Sequence, residues 1–333
     1  MEYSQLTVYQ SRSFDPVDVT TLVLTASELP ADYPSINNFS KYKLENIVVD
    51  YDLILRTDLI RRQQVRLTDT ATGLYGAITI NHLGSLGNHK NILMHADAAA
   101  KFGKTSGDFP FYLTIEDKIV ANSEFPEPTN WQDVADNGEM VEFMFDSSSG
   151  GPHDIFITAP HGGDFEDFSD TMAEQFMYQL RRSGTLNVTR WGLKGYALTG
   201  TSIAASLRWH ITAVDYNPEK NYPLMAASVV HTRSYSYGFG FHGMSGNRVV
   251  EIGGRLTGSE VVDLQTVLIN TVTPDVSINI TAIGAILGEN PRNITNRLTA
   301  GTGTIQLELS YDVRRDSGSA IADAMAHWYQ NTW

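Results

Sequence analysis

The chain contains no cysteine. That excludes disulfides, thiolate metal sites and a cysteine nucleophile, and leaves only His, Asp and Glu to hold any metal. No run of about 20 apolar residues occurs, so no membrane-spanning helix is expected. The N-terminus, MEYSQLTVYQSRSFD, lacks a basic stretch followed by an apolar one, so no signal peptide is expected either. Basic residues are in the minority, 24 against 38 acidic, for a net charge of -14. A general nucleic-acid binder would show a basic face, which this balance argues against. An anionic substrate is not excluded, because a local arginine cluster can act inside an acidic whole.

At 333 residues the chain exceeds what one ordinary core organises, and two domains are expected, 1–140 and 141–333. The first reads as β-rich. LENIVVDYDLILRTDLIRRQQVRLTDT (Leu44 to Thr70) is dense in β-branched residues, and GLYGAITI and FPFYLTIEDKIVA look like further strands. ADAAAKFG (Ala96 to Gly103) suggests a short helix stopped by glycine. EFPEPTNWQDVADNGE (Glu124 to Glu139) carries two prolines and reads as a linker or surface loop. His82, His89 and His95 are spaced too loosely to define a site.

From Val141 strands alternate with helices. VEFMFD, DIFITAP, LRWHITAV, ASVVHTRSY, RVVEIGG, SINITAIG and TIQLELSYDVR are strand-like; Ser169 to Gly184, Ser259 to Val272 and Ser319 to Gln330 have helical spacing. The expected fold is α/β, a mixed sheet with helices on both faces, preceded by the β-rich domain. Chemistry in such sheets gathers at the carboxyl ends of strands.

In APHGGDFE, a buried strand is expected to end at Pro160. His161 follows at once, and Glu166 comes five residues later, with two glycines permitting a tight turn. An imidazole and a carboxylate on one such loop can reach a single ion, though a loop His beside a Glu is also an ordinary surface hydrogen bond. FGFHGMSG offers His242, either as a ligand on a loop at a strand end or as a core histidine bonded to backbone. In TIQLELS, Ile305, Leu307 and Leu309 face one way, and Gln306 and Glu308 the other. Glu308 is therefore either a base lining a cleft or a solvent-facing residue of an edge strand.

Taken in order, APHGGDFE, WGLKGY, LRWHIT, FGFHGMSG with VVEIGG, NITNR and TIQLELS resemble the phage-type poly-γ-glutamate hydrolase family, small relatives of zinc carboxypeptidases. The resemblance covers about 141–333. It implies a Zn2+ site on His161, Glu166 and His242, with Glu308 as the catalytic base. It also puts Arg297 where a guanidinium either holds a substrate carboxylate or forms a structural ion pair. His210 matches a family position that fits a substrate-side donor or a buried structural histidine equally. Arg233 and Arg255 are further candidates for a neighbouring carboxylate.

The implied function is zinc-dependent amide hydrolysis, with poly-γ-glutamate or a similar anionic polymer as partner. Two alternatives stay open: a virion binding protein with a degenerate hydrolase domain, and an amidase for peptidoglycan γ-glutamyl bonds. Residues 1–140 have no counterpart in the resemblance and suit attachment to phage tail proteins. The expected location is virion-associated or extracellular after lysis. DFSDTM replaces the run usual after the metal-binding glutamate, and YSYGFG adds residues before the second histidine, so the pocket edges are expected to differ.

Overall fold

The computed structural model describes residues 16–23, 45–57, 59–117, 119–120, 131–146, 155–182, 184, 187–226, 235–272, 279–282, 288–300 and 303–332. Six strands close a barrel: β1 (Val17–Val23), β2 (Asn46–Asp50), β3 (Gln64–Asp69), β4 (Tyr75–Gly84), β5 (Asn91–Met94) and β6 (Tyr112–Glu116), in the order β1-β5-β2-β4-β3-β6. Alternate residues of these strands, among them Ile47, Val49, Val65, Leu67, Leu113 and Ile115, fill its interior.

Leu44 to Thr70 is not all strand. A helix, α1 (Tyr51–Thr57), interrupts it. The Asp50 carboxylate accepts from the Asp52 N–H at 2.9 Å and so caps the first turn, while Leu53 and Thr57, one turn apart, are the buried positions. ADAAAKFG is a short helix as expected, in 3-10 form over Ala96–Phe102, and Gly103 stops it at φ 66°. The expected linker contains a helix, α2 (Trp131–Asp136); its residues 124–130 lie outside the described residues.

A seven-stranded sheet follows: β7 (Met140–Asp146), β8 (Ile155–Gly163), β9 (Val188–Gly195), β10 (Tyr237–Met244), β11 (Val249–Gly254), β12 (Asn279–Ala282) and β13 (Thr304–Ser310). Its order is β12-β11-β13-β10-β8-β9-β7. β13, β10, β8 and β9 run parallel, while β7 and β11 pair antiparallel with β9 and β13. Side-chain alternation builds a core on each face. Ile155, Ile157, Phe239, Phe241, Ile305 and Leu307 pack on one side against α3 (Ser169–Arg182), α5 (Gly258–Val272) and α7 (Tyr311–Thr332). On the other, Phe156, Trp191 and Leu193 pack against α4 (Ala205–Trp209) and α6 (Ile294–Arg297). The fold is therefore α/β, a mixed sheet with helices on both faces, preceded by a barrel.

Three strand expectations change. LRWHITAV is not a strand: its first residues close α4 and the rest form a loop. Trp209 sits at the helix end, wholly buried, so tertiary packing decides the local form. β8 runs on through His161 to Gly163 with a register irregularity between Ala159 and Gly162, rather than ending at Pro160. His242 lies within β10, not on a loop beyond it. Residues 227–234 of ASVVHTRSY lie outside the described residues.

Barrel and sheet share buried contacts. Ala77, Ile119 and Val120 belong to the same core as Trp191 and Trp209. Arg208, fully buried, donates to the carbonyls of Tyr75 at 3.0 Å and Gly138 at 2.9 Å. The Asn221 side chain exchanges two hydrogen bonds with the Gln64 backbone, at 3.0 and 2.7 Å, much as a neighbouring strand would. Among the described residues, no helix is long and apolar enough to cross a membrane.

Glu142 on β7 is fully buried, and its carboxylate accepts from Trp191 Nε1 and from the N–H groups of Leu224 and Met225. Burial pushes its pKa up to about 7, against the lowering effect of those three donors. An acid raised in the folded state stabilises most below its unfolded pKa, and that contribution is lost as pH rises through about 7. Glu142→Gln is therefore expected to flatten the fall in unfolding free energy between pH 5 and pH 8, by about 3 kcal/mol. Urea melts of both proteins across that range check this; parallel pH curves would contradict it.

Candidate metal centre

β8, β10 and β13 are adjacent and parallel, so their carboxyl ends open on one edge of the sheet. His161 comes from β8 and His242 from β10. Glu308 stands on β13 in direct register with His242. After His161 the chain turns back so tightly that the Glu166 N–H donates to the His161 carbonyl at 2.8 Å. Gly163 takes φ 72° at this turn, and a Cβ there would lie 2.8 Å from the Gly195 carbonyl oxygen, so glycine is required. The neighbouring β10 makes a similar demand. The Gly243 N–H donates to Glu166 Oε2 at 2.6 Å, and a Cβ on Gly243 would lie 2.8 Å from Glu166 Cβ.

One ligand atom from each of His161, Glu166 and His242 lies within 4.8 Å of the others. His161 Nδ1 is 3.0 Å from Glu166 Oε1 and 3.3 Å from His242 Nδ1. The far nitrogen, His161 Nε2, is 2.9 Å from the Ile211 carbonyl. A carbonyl only accepts, so that nitrogen carries the proton. When Nδ1 also carries a proton it donates to Glu166 Oε1; when it does not, its lone pair faces Glu166 and His242. His242 Nε2 is buried and, among the described residues, has no hydrogen-bond partner. The cluster thus brings two imidazoles and a carboxylate to one point, where a cation can take the place of the proton between His161 and Glu166. Two ligands each about 2.0–2.1 Å from a tetrahedral ion lie about 3.3–3.4 Å apart, close to the separation of the two Nδ1 atoms. The donor set therefore fits zinc.

Electrostatics agree with the geometry. Burial pushes His242 down to about 3, with the Glu166 charge opposing and His161 and His210 adding to the fall, so it is neutral, as a ligand must be. Burial would raise Glu166, but His161 outweighs it by charge and hydrogen bond and holds the carboxylate at about 2. His161 is raised because the adjoining Glu166 overcomes its own burial. Burial and then the Glu166 charge raise Glu308 to about 8, although Gln306 Nε2 donates to its Oε1 at 2.7 Å. Any cation at the cluster would draw that value down and favour the ionised form.

The four residues line one cleft of about 790 Å³ together with His210 and Glu45. The His210 ring centroid is 4.5 Å from that of His161, so His210 stands beside the cluster. Its Nδ1 is 2.5 Å from Glu45 Oε1, and Glu45 Oε2 accepts from the Thr212 N–H at 2.8 Å and hydroxyl at 2.7 Å. Burial would raise Glu45, but His210, Thr212 and Lys101 hold it at about 2. Glu45 immediately precedes β2 of the barrel, and nothing local in its sequence marks it as part of a site.

The arginine candidates are not gathered with the rest. Arg297 lines an adjoining pocket. Arg255 is at the opposite end of the sheet: its N–H donates to the carbonyl of Thr304, which opens β13. Four residues separate Thr304 from Glu308, or about 13 Å at about 3.3 Å per residue. The cause is that β11 runs antiparallel to β13, so residues after β11 leave from the wrong edge. Arg233 lies outside the described residues.

The family model for poly-gamma-glutamate hydrolase matches residues 129–321, more than half of the chain. The chain belongs to the poly-gamma-glutamate hydrolase family. No curated protein matches it significantly. Among solved structures, a bacteriophage poly-gamma-glutamate hydrolase is 19% identical at TM-score 0.40, over 57% of this chain and 88% of that one. A metallo-carboxypeptidase from Burkholderia cenocepacia is 12% identical at TM-score 0.38, over 81% and 80%. The N-acetylmuramoyl-L-alanine amidase AmiC2 of Nostoc punctiforme is 7% identical at TM-score 0.33, over 54% and 97%. As a poly-gamma-glutamate hydrolase family member, the chain carries its His, Glu and His cluster and Glu308 inside the matched segment.

Proposed function

We propose that the protein is a zinc-dependent amide hydrolase that cuts poly-γ-glutamate within the chain. The observation that carries this reading is the meeting of His161 Nδ1, Glu166 and His242 Nδ1 at ion-sharing distances, with a separate carboxylate, Glu308, on the next strand. When bound, zinc would supply Lewis-acid polarisation of the scissile carbonyl and a lowered pKa for water at the site. His161, Glu166 and His242 would hold it; the Ile211 carbonyl and the Gly243 N–H orient the first two. Glu308 takes a proton from the attacking water at its carboxylate and passes it to the leaving nitrogen. The Gln306 amide, itself held through its oxygen by Asn293 Nδ2 at 2.7 Å, fixes the Glu308 rotamer. Glu45 holds the His210 ring in the cleft wall, where it can meet the substrate. Capsular γ-linked glutamate as the polymer, and a phage particle as the carrier, belong to the same proposal.

The protein incubated with poly-γ-glutamate is expected to shorten the chains and release new amines. Chelation should stop this and added zinc restore it, while α-linked polyglutamate stays intact. Cleavage indifferent to chelator would defeat the metal assignment. Cleavage of peptidoglycan fragments with the polymer untouched would move the substrate to the γ-glutamyl bonds of the cell wall.

A further inference from the structure

Next to the metal cleft lies a second pocket, of about 440 Å³, lined by Arg61, Arg62, Arg292 and Arg297, with Asp215 the one lining carboxylate among the described residues. Four arginines line it in a chain whose net charge is -14. The two cavities share a wall, since Val214 and Pro291 line both. Tyr216 lines the second pocket, and its ring centroid is 6.1 Å from that of His161.

Arg61 and Arg62 come from the barrel, in the turn before β3; Arg292 and Arg297 come from the sheet side. Several of these groups are held in place. Arg292 donates to the Val214 carbonyl at 3.0 Å and to Asp215 Oδ1 at 3.1 Å. Arg61 Nε donates to the Asn81 carbonyl at 2.7 Å. Arg62 takes φ 67°, a left-handed conformation that is unfavourable for a non-glycine residue. The barrel holds it there: the Arg62 N–H donates to the Ile80 carbonyl at 2.6 Å, and the Arg62 carbonyl accepts from Gln64 Nε2 at 3.3 Å. Partial desolvation, then repulsion from Arg292 and Arg61, works against the charge of the largely exposed Arg62. An anion in the pocket relieves that repulsion.

We propose that this pocket is a substrate subsite for the free α-carboxylate of a γ-linked glutamyl residue beside the scissile bond, and that the barrel supplies half of it. The inference rests on the poly-γ-glutamate reading above. A γ-linked chain carries one free carboxylate per residue, spaced farther apart than the ~3.8 Å between Cα atoms of an α-linked chain. A chain lying across Val214 and Pro291 places one reacting amide in the metal cleft and the next carboxylate among the arginines. Guanidinium forks suit carboxylates because two parallel N–H groups meet its two oxygens.

The test is binding, so it does not depend on turnover. Labelled poly-γ-glutamate is titrated against the full-length Glu308→Gln protein, with and without Arg61→Ala and Arg62→Gly. Glycine at position 62 removes the guanidinium and also relieves the left-handed strain, so the fold is kept. Each lost guanidinium is expected to weaken binding about tenfold, and the salt dependence should become shallower. Thermal melting at or above that of the parent shows that the loss is not unfolding. Unchanged affinity in the arginine variant would overturn the inference, as would equal competition by single-stranded DNA of the same charge. If the native enzyme fails to cut the polymer yet Glu308→Gln binds it through these arginines, the hydrolase reading falls and the subsite stands.

Discussion

Glu308→Gln is expected to lower the turnover of poly-γ-glutamate by about 10²–10⁴-fold while bound metal stays at the native level. The substitution is nearly isosteric, and its side-chain oxygen still accepts from Gln306 Nε2, the contact now 2.7 Å long. What it removes is the capacity to take a proton. Glu308 lines the cleft beside the cluster but is not one of its three converging groups, so metal affinity is not expected to follow activity. The drop should appear in kcat, with KM little changed, because the lost interaction forms as the proton moves. Steady-state rates alongside metal analysis of the same sample check this. Activity above about a tenth of native, with metal present, would remove Glu308 from the role of base.

His242→Ala should act on the other half of the site. It removes one of two imidazoles whose Nδ1 atoms are 3.3 Å apart, leaving His161 and Glu166 as a two-residue remnant. Bound zinc after dialysis is expected to fall below about a tenth of an equivalent, and hydrolysis with it. A His210→Ala protein is the informative contrast. His210 sits as close to His161 as His242 does by ring centroid, 4.5 against 5.1 Å. Its Nδ1 is engaged by Glu45 instead of the cluster, so His210→Ala should retain its metal. Equal metal loss in both variants would mean the ligand set has been drawn wrongly.

Local pattern shows which side of a strand a candidate residue occupies, while the roles proposed for His161, Glu166, His242 and Glu308 come from the family resemblance. TIQLELS is the clearest case. Ile305, Leu307 and Leu309 enter the core, Gln306 and Glu308 line the cleft, and alternation alone separates the two sets. β13 is interior, between β11 and β10, which removes the solvent-facing edge alternative for Glu308. APHGGDFE likewise brings His161 and Glu166 together through a turn that two glycines permit.

What escaped the sequence depends on sheet order and on contacts between distant segments. Arg255 follows a strand that looks like its neighbours, and only the antiparallel pairing of β11 with β13 sends it to the far edge. Glu45 and His210 are 165 residues apart, and neither shows periodicity pointing to the other. Arg61 and Arg62 sit in a stretch dense in β-branched residues, where an exposed pair of arginines reads as ordinary surface. The barrel was expected as a separate unit suited to attachment. It packs on the sheet through contacts with Arg208 and Asn221, and Glu45 lines the cleft.

The most direct measurement is anomalous diffraction at the zinc absorption edge from crystals of the native protein grown with zinc. The expected map has one strong peak per chain, within bonding distance of His161 Nδ1, a Glu166 oxygen and a His242 ring nitrogen, with Glu308 outside that distance. A map without a peak there, or with the ion bound by Glu308 in place of either histidine, contradicts the site proposed for this enzyme.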